Sequence, residues 1–237
     1  IMADSFGNVV HLGERDCSIQ RRHQKLIEES PSLAVTPRLR KKMGADAVRA
    51  AKAVKYASAG TVEFLLAPDG EYYFMEMNTR IQVEHPVTEM VTGRDLVQEM
   101  IRIAAGEKLS FEQDDVRFQG HAIECRINAE DPEQGFRPCP GQVQELHFPG
   151  GFGVRVDSAL YSGYKIPSCY DSMLAKLIVH SSSREDAVRK MCSALGETVI
   201  GGVKTNVDFL YDLLHEKAFQ DGDVQSINRM LEERCAK

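Results

Sequence analysis

The chain has 237 residues, a formal net charge of −6 and 43% hydrophobic residues, enough apolar content for a sizeable core in one large domain or two small ones. The acidic balance argues against a general nucleic-acid binder, although Arg15, Arg21, Arg22, His23 and Lys25 form a local basic cluster suited to an anion. No apolar run approaches the ~20 residues that cross a bilayer and no signal-peptide pattern opens the chain, so the expectation is a globular protein of the cytoplasm or an equivalent organelle lumen, without membrane or nucleic-acid partners. Six cysteines (Cys17, Cys125, Cys139, Cys169, Cys192, Cys235) contain no CxxC pair. Free thiols are therefore expected, not a zinc or disulfide framework.

In chain order, residues 1–12 look like a hairpin turning at Phe6, Gly7 and Asn8 and entered in mid-strand, with Val9 to Leu12 as its second strand. The basic segment Glu14 to Lys25 follows. Thr36 and Pro37 make an N-cap and first-turn pair, and the Ala-rich stretch to Tyr56 reads as a helix interrupted at Gly44. Strands Thr61 to Leu66 and Glu71 to Met77, joined at Pro68, Asp69 and Gly70, form an antiparallel hairpin. A helix from Arg94 to Ala105 ends at Gly106, with Leu96, Val97, Met100, Ile101 and Ala104 as its apolar face. From there the character changes to short β-segments punctuated by proline and glycine, starting with the strand Gly120 to Asn128. Met173 to Val179 is a further strand, Arg184 to Leu195 a helix, and Asn206 caps a helix running to Leu214.

The stretch FMEMNTRIQVEHPVTEM, Phe74 to Met90, carries the densest chemistry. In extended geometry Glu76, Asn78, Arg80, Gln82 and Glu84 share one face, while Met75 and Met77 point the other way into a core. On the hairpin, register can bring Glu63 to the same face as Glu76. Two carboxylates and an amide oxygen suit a hard cation such as Mg2+, completed by nucleotide phosphates, and an arginine beyond them suits an anion. The plainer alternative is that both glutamates are solvent-facing strand residues.

Three blocks, ERDCSIQRRHQK (Glu14 to Lys25), EMNTRIQVEHPVTEM (Glu76 to Met90) and GHAIECRINAEDP (Gly120 to Pro132), resemble the signature blocks of the biotin carboxylases, a branch of the ATP-grasp superfamily. The likeness runs over nearly the whole chain. It looks most like the biotin carboxylase subunit or domain of acetyl-CoA carboxylase, bacterial or plastid, and the pyruvate, propionyl-CoA and methylcrotonyl-CoA carboxylases share the blocks. The resemblance implies an α+β fold: the carboxyl-terminal catalytic portion of an ATP-grasp unit with antiparallel sheet at 1–118, incomplete at its start, then the β-rich biotin carboxylase carboxyl-terminal subdomain at 119–237. The family's preceding domain and its glycine-rich lid have no counterpart in the 237 residues, so the chain alone is expected to be inactive.

The resemblance also implies roles. Glu63, Glu76 and Asn78 bind Mg2+ or Mn2+. Gln20, His23, Glu63, Leu65 and Glu76 form the ATP site, with Leu65 on the adenine. Lys25, Arg80, Gln82, the Val83 amide, Glu84 and Arg126 surround bicarbonate. Glu84 is the base, and Arg126 stabilises the biotin enolate; Lys25, Arg80, Glu84 and Arg126 are the expected catalytic set. Phe152 and Arg155 resemble a homodimer contact, and Tyr170 and Asp171 lie in a block near the biotin pocket. ATP and carrier-bound biotin are the expected substrates, in a reaction through carboxyphosphate that serves fatty acid synthesis. A biotin carboxyl carrier protein and a carboxyltransferase are the expected partners. His85 is expected to pack, Glu89 to cap the next helix, Arg21 and Arg22 to be solvated, and Cys17 and Cys125 to be structural. Two alternatives are another ATP-grasp ligase, which would need the metal residues but not RIQVEHP or ECRINAEDP, and a non-catalytic assembly module.

Overall fold

The computed structural model describes residues 1–235, apart from the side chains of Arg234 and Cys235; the expected free thiol of Cys235 therefore lies outside the described set. In chain order the strands are β1 Met2–Ala3, β2 Val9–Val10, β3 Asp16–Arg21, β4 Gln24–Ser30, β5 Ser58–Ala59, β6 Thr61–Leu66, β7 Tyr72–Asn78, β8 His121–Asn128, β9 Glu130–Asp131, β10 Arg137–Pro138, β11 Glu145–His147, β12 Val154–Ser158, β13 Met173–Ser181 and β14 Val199–Gly201. The helices are α1 Pro37–Ala53, α2 His85–Thr92, α3 Leu96–Ala104, α4 Arg184–Glu197, α5 Val207–His215, α6 Lys217–Gln220 and α7 Val224–Cys235. The chain divides into two compact units, one of Ile1–Arg15 and Pro31–Gln119, the other of Asp16–Ser30 and the residues from Gly120 onward. Residues 16–30, expected with the amino-terminal portion, join the second unit because β4 ladders with β8, Ile27 opposite Cys125 and Glu29 opposite Ile123.

In the first unit β1 and β2 form the expected hairpin, and β5 pairs on the other side of β1. Met2, Val10, Leu12, Ala59, Leu96, Ile103 and Phe111 make its core. Thr36 Oγ1 accepts from Leu39 N at 3.2 Å and starts α1, satisfying one of the amides a helix leaves open at its start. Gly44 does not interrupt this helix. A Cβ there would sit 2.6 Å from the His11 ring, so the glycine serves close approach and not a break. On α3 the buried face is Leu96, Glu99 and Ile103, whereas Val97 and Ile101, expected inside, are exposed. Glu99 is accommodated because its carboxylate accepts from the Ser110 amide and hydroxyl, which removes most of the penalty for burying it.

The second unit is built on the antiparallel sheet β12-β13-β8-β4-β3. Ile27, Ile123, Cys125, Ile127, Leu177 and Val179 on the sheet pack with Met191, Leu195, Leu210 and Leu214 of α4 and α5, and the opposite face of the central strands is buried as well, at Glu28, Ala122, Glu124 and Ile178. Asn206 precedes α5 as expected but does not cap it. Its side chain instead accepts from Asn128 N at 2.7 Å and donates to the Arg126 carbonyl at 3.0 Å, pinning the end of β8. Among the described residues no helix is long and apolar enough to cross a membrane.

Candidate active site

In the first unit the β6–β7 hairpin places Glu63 directly opposite Glu76, and Thr61 opposite Asn78, with a bulge after Glu63. Asn78 Nδ2 donates to Glu63 Oε1 at 3.1 Å and to Glu76 Oε1 at 3.0 Å. The extended run does not continue beyond Asn78: residues 79–84 turn, and α2 begins at His85. The turn nevertheless returns Gln82 to the carboxylates, Nε2 donating to Glu63 Oε1 at 2.7 Å. Arg80, exposed, reaches Asn78 Oδ1 at 3.4 Å and the Ile81 carbonyl at 3.2 Å. Met75, expected in a core, is 48% exposed, because a two-stranded ribbon has no covered face unless another layer meets it. Val83 lies in the turn, and Glu84 is buried at the N-cap of α2 without its side chain capping that helix. His85 Nδ1 lies 2.8 Å from the Gln82 carbonyl, and Glu89 Oε1 accepts from Leu96 N at 2.7 Å, tying α2 to the start of α3. Leu65 is 59% exposed on β6.

The remaining expected residues lie in the second unit. Gln20 and Lys25 pair across β3 and β4, joined by a two-residue turn at Arg22 and His23. Both turn residues have positive φ, 48° and 65°, the geometry of a tight hairpin turn, which costs a non-glycine residue about 1–2 kcal/mol. Gln20 Nε2 donates to the Cys17 carbonyl at 2.7 Å. Arg21 is not solvated as expected: it is 6% exposed, paired with Glu130 at 3.4 Å and stacked 4.4 Å above the Phe136 ring. Arg126 on β8 meets Glu28 Oε1 through Nε at 2.6 Å and Nη2 at 2.5 Å. Phe152 is 97% exposed, with Lys190 Nζ 5.9 Å from its ring centre. Arg155 holds Asp157 in a fork at 2.8 and 2.9 Å; although burial alone would raise the Asp157 carboxyl, Arg155 and Lys176 hold it below the ordinary range. Tyr170 is exposed, and Asp171 Oδ1 accepts from Met173 N at 2.9 Å. Burial, and then the nearby Glu28 and Glu124 charges, push the Cys125 thiol well up, as expected of a structural cysteine and not a nucleophile.

Residues 1–112 match the family model described as carbamoyl-phosphate synthase L chain, ATP binding domain, and residues 124–231 match the biotin carboxylase C-terminal domain. Biotin carboxylase 1 of Bacillus subtilis (strain 168) is 57% identical over 224 residues, 94% of this chain and 50% of that protein. The chain belongs to the biotin carboxylase family. A pyruvate carboxylase subunit of Methanothermobacter thermautotrophicus is 55% identical over 226 residues, 95% of this chain and 46% of that protein. The crystal structure of the biotin carboxylase domain dimer of Hydrogenobacter thermophilus 2-oxoglutarate carboxylase, in complex with MgADP, ADP and bicarbonate, is similar with a TM-score of 0.92 and 56% identity, covering 93% of this chain and 49% of that one. The chain spans about half the length of the curated relatives it matches.

The donor set on β6–β7 fits a divalent metal ion. Two hard carboxylate oxygens converge on one amide, whose nitrogen stands where a positive partner belongs and whose oxygen would become a ligand after a half-turn. Sequence reasoning placed Arg15 in a basic cluster suited to an anion but did not find its partners: it donates to Gln82 Oε1 at 2.7 Å and to the hydroxyls of Thr88 and Thr61 at 3.1 Å each. The tie of Arg126 to Glu28 was missed as well, because it depends on β4 lying beside β8.

Proposed function

We propose that the chain carries the metal, bicarbonate and biotin residues of a biotin carboxylase, the enzyme that uses ATP and bicarbonate to carboxylate carrier-bound biotin through carboxyphosphate. The observation that carries this reading is the network joining Glu63, Glu76, Asn78 and Gln82 at the end of β6–β7, in a chain 57% identical to a biotin carboxylase over 224 residues. Glu63, Glu76 and Asn78 would hold Mg2+ or Mn2+, which supplies charge neutralisation for the nucleotide phosphates. Gln20, His23 and Leu65 contribute to the nucleotide site. Lys25, Arg80, Gln82 and the Val83 amide hold bicarbonate by charge-assisted hydrogen bonds, and Glu84 takes its proton as it attacks the γ-phosphate to give carboxyphosphate and ADP. Arg126 offers its guanidinium to the biotin enolate oxygen.

The partners of this reading are a biotin carboxyl carrier protein, a carboxyltransferase and a second copy meeting at Phe152 and Arg155, in the cytoplasm or a plastid. Acetyl-CoA carboxylase is the preferred setting. A keto-acid carboxylase is the second reading, favoured by the 55% identity to a pyruvate carboxylase subunit. The test is ATP cleavage dependent on bicarbonate and biotin, assayed for the chain alone and mixed with the amino-terminal half of the Bacillus subtilis relative. Turnover only in the mixture is expected, since phosphoryl transfer depends on groups positioned on every side of the phosphates. No bicarbonate-dependent turnover in a mixture shown to associate refutes the reading.

A further inference from the structure

The polar groups around Glu63 form a relay whose direction is fixed by chemistry. Arginine has only N–H donors and an ionised carboxylate only acceptors. With Arg15 Nη2 2.7 Å from one end of the Gln82 carboxamide and Glu63 Oε1 2.7 Å from the other, the oxygen must face Arg15 and the nitrogen must face Glu63. The guanidinium is itself held in place: Nη1 donates to Thr88 Oγ1 on α2 and Nη2 also to Thr61 Oγ1 on β6. One side chain therefore ties the segment after β2 to the hairpin, the 79–84 turn and the following helix. Its Nε is buried without a hydrogen-bond partner, a cost kept at this position despite the general pairing of buried donors.

We infer that Arg15 is a positioning residue for anion binding: by holding Gln82 Oε1 it fixes the carboxamide so that one N–H serves Glu63 and the other is presented to bicarbonate. The inference rests on the bicarbonate role proposed above for Gln82. Without Arg15 the carboxamide keeps only its N–H to Glu63, so it swings about that one tether and its second N–H is no longer aimed at the anion. Lysine cannot substitute, since a point ammonium lacks the planar fork that reaches Gln82 and both threonines together. ATP contacts none of the three acceptors in this reading and meets Gln82 only through Glu63, so the defect falls more heavily on bicarbonate than on ATP.

The test has two arms. In the isotopically labelled chain, side-chain amide exchange of Gln82 is followed by nuclear magnetic resonance in wild type, Arg15→Met and Arg15→Lys. Slow exchange in wild type and fast exchange in both variants is expected; unchanged Gln82 signals in a folded variant overturn the inference. In the mixture with the complementary half, Arg15→Lys should raise the bicarbonate KM by about tenfold or more and the ATP KM by much less, and millimolar guanidinium should restore the bicarbonate KM in Arg15→Met. A merely structural role would raise both KM values in equal proportion, and guanidinium would only worsen them. That outcome overturns the inference. A wild-type mixture without bicarbonate-dependent turnover refutes the proposed function instead, and the exchange arm still decides whether Arg15 orients Gln82.

Discussion

Replacing Glu76 by glutamine should make the chain slightly more stable and a much poorer cation ligand. Glu63 Oε1 and Glu76 Oε1 lie 3.1 and 3.0 Å from the same amide nitrogen. The two charges are thus within about 6 Å, where they repel by about 0.7 kcal/mol in bulk water and about 3 kcal/mol at an effective dielectric of 20. Glu76 is exposed, so the lower figure governs and the gain in urea unfolding should not exceed about 1 kcal/mol. Glutamine keeps an acceptor for Asn78, so packing is preserved. A divalent cation at about 2.1 Å, by contrast, loses about 4 kcal/mol of attraction even in a water-like dielectric. Allowing about half of that to be offset by hydration leaves a loss of about 2 kcal/mol, or about thirtyfold in affinity. Mn2+ titration followed by electron paramagnetic resonance, paired with urea unfolding, reads both quantities. Unchanged Mn2+ affinity would remove Glu76 from the metal site, and a stability loss above about 1 kcal/mol would mean that native contacts outweigh the repulsion.

Two further predictions separate chemistry from scaffold. In the mixture with the complementary half, Glu84→Gln should suppress bicarbonate-dependent ATP cleavage even without biotin, whereas Arg126→Ala, combined with Glu28→Gln so that no buried carboxylate loses its guanidinium, should depress biotin carboxylation more than ATP cleavage. Equal depression of both activities by the two variants refutes the separate roles. Glu29→Gln should destabilise the chain by about 3–5 kcal/mol in urea unfolding, because Glu29 receives Arg184 at 2.7 Å and His121 at 2.7 Å in a buried setting. Burial alone would raise the Glu29 carboxyl, but hydrogen bonds from His121 and Arg184 hold it below its ordinary value of 4.5. Since the folded value is the lower one, this stabilisation is complete above about 4.5 and is lost as pH falls through the depressed value. Stability measured against pH should lose part of its acid limb in the variant; an unchanged limb would show that other groups set it.

What the sequence made legible were features with local causes. Thr36 and Pro37 start a helix through groups within one turn, and strand β6 ends where expected because Pro68, Asp69 and Gly70 set the hairpin turn. What stayed hidden depends on which segments meet. Arg21 reads as solvated in a run of charge, yet it pairs with Glu130, 109 positions away. The face of α3 was misjudged because Glu99 is buried by Ser110, which no helical period encodes. In the site itself, alternation correctly grouped Glu76 and Asn78 but failed at Arg80, where the strand had already ended; Gln82 joined the group through a turn instead.

The difference between amide and guanidinium partners bears on what the hairpin end is built to receive. Glu14, Glu28 and Glu29 each hold an arginine at 2.5 to 2.7 Å, and a guanidinium offers only N–H groups, so such a carboxylate keeps its cation for as long as the fold lasts. Glu63 and Glu76 share the amide of Asn78. An amide donates from one end and accepts at the other. Its nitrogen relieves repulsion between the carboxylates, and rotation about its terminal bond would turn its oxygen toward a cation held as proposed above, without moving the strand. Arg80, which donates to that oxygen at 3.4 Å, would then release it. Asparagine at this position thus offers a donor or an acceptor from one backbone geometry, which an arginine there could not do.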